Sequence, residues 1–146
     1  MAFIIIKYLH YLSIITMVAS VVGELVLLKP KMIRKEMKLL AKLDALYGVM
    51  AILVVGLGLT LWFGVGKSAE YYSKNWILHT KVGLFVVIGA LSLIPTIFIA
   101  KNRKGDDHDV IEIPSKIKLI VTVELLIFAI IPLLAVLMAN GFGFTG

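Results

Sequence analysis

The amino-acid sequence predicts an all-α protein, an integral membrane antiparallel four-helix bundle made by residues 1–146 as a single domain. Hydrophobic residues are 60% of the chain and its mean hydropathy is +1.01, more apolar surface than a soluble domain of this size can hide. Apolar stretches of bilayer length recur four times, roughly at 3–28, 43–66, 76–100 and 119–140, with three short polar connections between them. Lipid offers the backbone no hydrogen-bond partners, so each stretch must be a helix or a barrel strand, and a strand would be about half as long.

The charge pattern orients the spans. Of the 15 basic residues, eleven fall in two connections: Lys29, Lys31, Arg34, Lys35, Lys38 and Lys42 in the first, and Lys101, Arg103, Lys104, Lys116 and Lys118 in the third. Four spans place those two connections on one face, which the positive-inside rule makes cytoplasmic, with both termini outward. This arrangement accounts for the net charge of +6 without nucleic-acid binding. The chain contains no cysteine, which excludes disulfides, thiolate metal sites and cysteine nucleophiles, and any redox chemistry would need a bound cofactor.

Span one carries His10, Ser13, Met17, Ser20 and Glu24 at helical spacing, a polar and polarizable stripe on an otherwise aliphatic helix. Val18 and Ser20 loosely fit a cleavage site, but no basic segment precedes the apolar run, so this stretch is expected to stay attached. The first connection, PKMIRKEMKLLAK at 30–42, mixes basic and apolar residues and predicts a short interfacial helix leading into span two. Span two opens with Asp44 and Tyr47 and presents Gly48, Ala51, Val55 and Gly58 as a small-residue surface suited to close helix packing or to a flat ligand.

Trp62, Tyr71, Tyr72 and Trp76 crowd the outer boundary as an aromatic belt. Span three begins with His79 and Lys81, presents Val82, Gly83, Val86 and Ala90 from the histidine inward, and ends near Pro95 and Thr96. The third connection, KNRKGDDHDVIEIPSK, reads as a solvated acidic loop holding His108 among Asp106, Asp107 and Asp109. Span four contributes Glu124 and Pro132.

Ionisable groups inside a span are costly unless paired or turned inward, so they mark where function is expected. They form two layers. His10 and His79 lie at similar depth near the outer face, where two imidazoles facing each other in a bundle suit the axial positions of a b-type haem, or stand as interfacial residues hydrogen-bonded to water, backbone or each other. Lys81 would then lie near a propionate, while a copper site would use His10, His79 and Met17. Glu24, Asp44, Tyr47, Thr96 and Glu124 form the inner layer, drawn from all four spans, either as a structural polar network or as a proton-handling site.

The strings KYLH, LDALYG, WILHTK, LSLIPT and ELLIFAIIPLLA together resemble an uncharacterised bacterial family of small four-span membrane proteins, over nearly the whole chain. That family in turn resembles the HemJ-type protoporphyrinogen IX oxidases and the CopD-like copper-resistance membrane proteins. The HemJ-type likeness matches His10, His79 and Lys81 to haem-site residues. It implies a haem-b-binding oxidoreductase of the bacterial inner membrane that accepts electrons from a porphyrinogen or quinol donor. The segments LLKPKMIRK and LSLIPTIFIAK lack the further histidines of the HemJ-type sequences. The other expectations are a copper-handling protein, an accessory subunit of a membrane complex, and a homo-oligomer surrounded by membrane lipids.

Overall fold

A computed structural model describes the whole chain, Met1–Gly146. Its elements in order are α1 (Ala2–Leu27), β1 (Lys31–Ile33), α2 (Arg34–Thr60), a π-helical turn (Leu61–Val65), α3 (Ala69–Ser73), α4 (Trp76–Asn102), β2 (Val110–Glu112) and α5 (Ser115–Ala139). Four helices are long and apolar enough to cross a membrane: α1, α2 with its π-helical continuation, α4 and α5. At about 1.5 Å per residue the shortest of them reaches beyond a hydrocarbon core of about 30 Å.

The architecture is two helical hairpins side by side. The most extensive packing is α1 on α2 and α4 on α5, and lesser contacts of α1 with α5 and of α2 with α4 close the ring, leaving α1 and α4 on one diagonal. Both hairpin bends lie on the basic face. There β1 and β2 pair antiparallel, Met32 opposite Ile111, and join the hairpins in a clasp.

The clasp corrects two expectations. No separate interfacial helix forms in the first connection, because Lys31–Ile33 are taken up as a strand and α2 then runs unbroken from Arg34. The third connection is not merely a solvated loop, because Ile111 and Ile113 are buried beside Met32, Leu28 and Ile117 and floor the core. Its acidic residues point at named partners: Asp109 pairs with Arg34 and Asp107 with Lys38. Arg34 also donates to the Asn102 carbonyl, tying the start of α2 to the end of α4. The Lys38 ammonium holds the exposed Asp107 carboxyl below its usual range, first by hydrogen bonding and then by charge.

At the opposite face the chain turns through α3, whose N-cap Ser68 accepts from Tyr71 N–H. Asn75 caps α4, its side-chain oxygen accepting from Ile77 N–H and its amide donating to the Phe142 carbonyl. The C-terminal segment thus folds back onto the start of α4. Gly143 has φ +85°, and a Cβ there would lie 2.5 Å from Asn75 Oδ1, so this close approach requires glycine.

The packed core sits in the half nearest the clasp. On α4 no residue between Ile77 and Ile88 is fully buried, and on α5 none beyond Phe128, so the half nearer the termini is loosely packed.

Candidate functional site: a buried carboxyl centre and a histidine layer

Span one delivers its stripe to the interior as its spacing requires. Ser13, Met17, Ser20 and Glu24 are all buried, and both serines donate to carbonyls one turn back, Leu9 and Thr16. Glu24 is only 3% exposed, and Glu124 on α5, across the α1–α5 interface, is 2% exposed. One oxygen of each carboxyl, Oε1 in both, is buried without a hydrogen-bond partner.

Asp44 completes the group from α2, within electrostatic reach of Glu24 and Glu124. It accepts a 3.0 Å hydrogen bond from the Thr96 hydroxyl on α4. Tyr47, one turn after Asp44, is pinned edge-on against Phe128, with its hydroxyl near Ser92 and in reach of all three carboxyls. The five inner-layer residues therefore converge from all four spans. None of the chain's four ion pairs involves any of them. Three bare negative charges at one low-dielectric site would repel one another strongly.

A cavity of about 420 Å³ opens beside this centre between α2 and α4. Asp44, Tyr47, Ser92 and Thr96 form its polar wall, Gly48, Ala51 and Phe85 much of its apolar one, and Arg103 stands at its basic end. Ser92 and Arg103 carry no motif that singles them out, and only the helix pairing brings them to the site.

The histidine layer is arranged differently from the facing pair expected. His10 does turn inward: its Cε1 lies 3.3 Å from where a Cβ on Gly58 would stand, and its Nδ1 is buried without a partner. The buried face of α4, however, runs through Ile77, Ile88, Pro95 and Ile99, and Lys81, half-buried and at helical spacing from Ile77, falls on it within electrostatic reach of His10. His79 is exposed with Val82, Gly83, Val86 and Ala90 on the outward side. Its Nε2 lies 2.7 Å from the Ser73 carbonyl, an acceptor only, so that nitrogen carries the proton, and the ring meets Trp62 edge-on. Met17 is buried on the His10 face, two turns further along α1 and far from the end of α4 that bears His79. The small-residue surface of α2 also divides, since Gly48 and Ala51 line the cavity, Gly58 meets His10 and Val55 is exposed. No group of three or more His, Asp or Glu side chains is placed to hold a metal ion.

Fold and site together define a small four-span membrane protein with a protein-enclosed carboxyl centre. Residues 3–143 match the model of the family described as "Predicted membrane protein (DUF2214)", and the chain belongs to that family. No curated protein and no solved structure matches the chain.

Proposed function

We propose that this protein handles protons within the membrane, binding and releasing them at Glu24, Asp44 and Glu124. One observation carries the reading: three carboxyls from three spans share a site with no ion-pair partner, and Glu24 and Glu124 are almost completely buried. Asp44 lines the cavity and exchanges protons with water entering it, Thr96 fixes its orientation, and the Tyr47 hydroxyl, both donor and acceptor, links it to the two glutamates. The positive-inside rule makes the clasp face cytoplasmic and both termini external.

Infrared spectroscopy of the protein in liposomes tests this directly. Carbonyl bands of protonated carboxyls are expected at neutral pH, reduced by Glu24→Gln and by Glu124→Gln. Fully ionised carboxyls at neutral pH, or a tightly bound metal cation in their place, would overturn it.

A second reading rests on His10, whose inward nitrogen lacks a partner and has Lys81 within electrostatic reach. If a b-type haem bound here, His10 would be its iron ligand and Lys81 the counter-charge to a propionate, in line with the HemJ-type resemblance. His79 does not complete a two-histidine bracket within one chain, since it is exposed and its Nε2 proton is committed to Ser73. When bound, the haem would supply one-electron acceptance from a quinol or porphyrinogen donor. The purified protein should then show a Soret band that His10→Ala abolishes and His79→Ala leaves intact. Protein without that band ends the haem reading.

A further inference from the structure

The cavity between α2 and α4 has a second property besides the polar wall at Asp44. Small residues between membrane helices ordinarily let the backbones approach closely. Here they do not. A Cβ added at Gly48 on α2 or at Gly89 on α4 would meet nothing within 4 Å, so the groove they line is left open by the packing of the chain itself. Ala41, Ala45, Gly48 and Ala51 recur at intervals of three or four residues and make one continuous apolar wall. Unfilled apolar volume forfeits dispersion contacts on every side, and in a membrane the material at hand to fill it is a lipid chain.

At the basic face a second cavity of about 320 Å³, lined by Lys38, Ala41, Lys42, Ala45 and Arg103, shares Ala41, Ala45 and Arg103 with the first. The two form one groove with a mostly apolar length, broken on one side by Asp44 and Thr96, and a cationic mouth. Lys38 is engaged by Asp107, but Lys42 and Arg103 belong to none of the chain's ion pairs. Two uncommitted cations at the membrane boundary, at the end of an apolar groove, complement a negatively charged head group carrying an acyl chain.

We propose that the α2–α4 groove is a binding site for one anionic phospholipid, its phosphate between Lys42 and Arg103 and an acyl chain along Ala45, Gly48 and Ala51. The site uses the groove and its mouth, and because Asp44 and Thr96 stand on the groove's wall, a bound chain would limit the water that reaches Asp44.

Native mass spectrometry of the detergent-purified full chain, supplied with phosphatidylglycerol or phosphatidylcholine, tests it. One phosphatidylglycerol should stay bound through delipidation that removes phosphatidylcholine. Lys42→Gln and Arg103→Gln should each weaken its retention by about fivefold while leaving phosphatidylcholine unchanged. Gly48→Leu and Gly89→Leu fill the groove without a clash at Cβ and should displace the lipid, with circular dichroism reporting an intact helical fold. Equal retention of the two lipids would overturn the proposal. So would phosphatidylglycerol that persists in the folded groove-filling variants, which would place it elsewhere on the basic face.

Discussion

The Thr96 hydroxyl on α4 donates to the Asp44 carboxyl on α2 across 3.0 Å, a hydrogen bond between side chains of two spans. It crosses the same helix pair that leaves the cavity open. The bond therefore holds Asp44 at the cavity wall where looser packing would leave its orientation free.

Thr96→Val removes the donor and keeps the shape. Interhelical polar contacts in membranes contribute about 0.5–1.5 kcal/mol, and a double-mutant cycle with Asp44→Asn in detergent unfolding should return a coupling in that range. Additive single effects would show that the two groups do not stabilise each other.

Gly143→Ala should be disproportionately disruptive for a single methyl group. It places a Cβ 2.5 Å from Asn75 Oδ1 at φ +85°, with an expected cost of about 1–3 kcal/mol. The segment after Asn140 should become protease-sensitive, whereas Gly141→Ala, with a similar φ of +87° and open space around it, should be milder.

The clasp should respond to acid and to salt. Lys38 lowers the Asp107 carboxyl below its ordinary value of 3.8, so the folded state binds that proton more weakly than the unfolded chain. The resulting stabilisation is present above about pH 4 and lost as pH falls through the depressed value. Protection of the Val110–Glu112 amides from hydrogen exchange, relative to the unstructured rate at the same pH, should fall below that pH and at high salt, and Lys38→Gln should flatten both responses.

Met17→Ala should cost about 2 kcal/mol or more, because Met17 is 1% exposed between Ser13 and Ser20 and its loss leaves a cavity. Ile15→Ala, at a position 66% exposed toward lipid, should be close to neutral in the same unfolding assay.

Much of the site is legible on α1, and much less on α4. On α1 the polar residues themselves mark the inward face, since Ser13, Ser20 and Glu24 would be costly against lipid. On α4 the helix is apolar on every side, so no amphipathic pattern distinguishes the face bearing His79 from the face bearing Lys81. Both residues sit within the first two turns, where either can reach the boundary, and rotation of the helix against α5 and α2 decides which turns inward.

The clasp was hidden for a related reason. Residues 31–33 and 110–112 are three-residue strands, too short for a period-two pattern, and each exists only because the other supplies its hydrogen-bond partners.

Sequence alone determined the four helices, the basic face and the depth of the inner carboxyl layer, because bilayer thickness and the cost of burying charge act on each span separately. Tertiary structure alone decided that α4 offers Lys81 to His10, that β1 and β2 clasp the hairpins, and that α2 and α4 part to leave a cavity at Asp44. Those outcomes depend on how helices rotate and pack against one another, and contacts between distant residues leave no periodic trace in either segment.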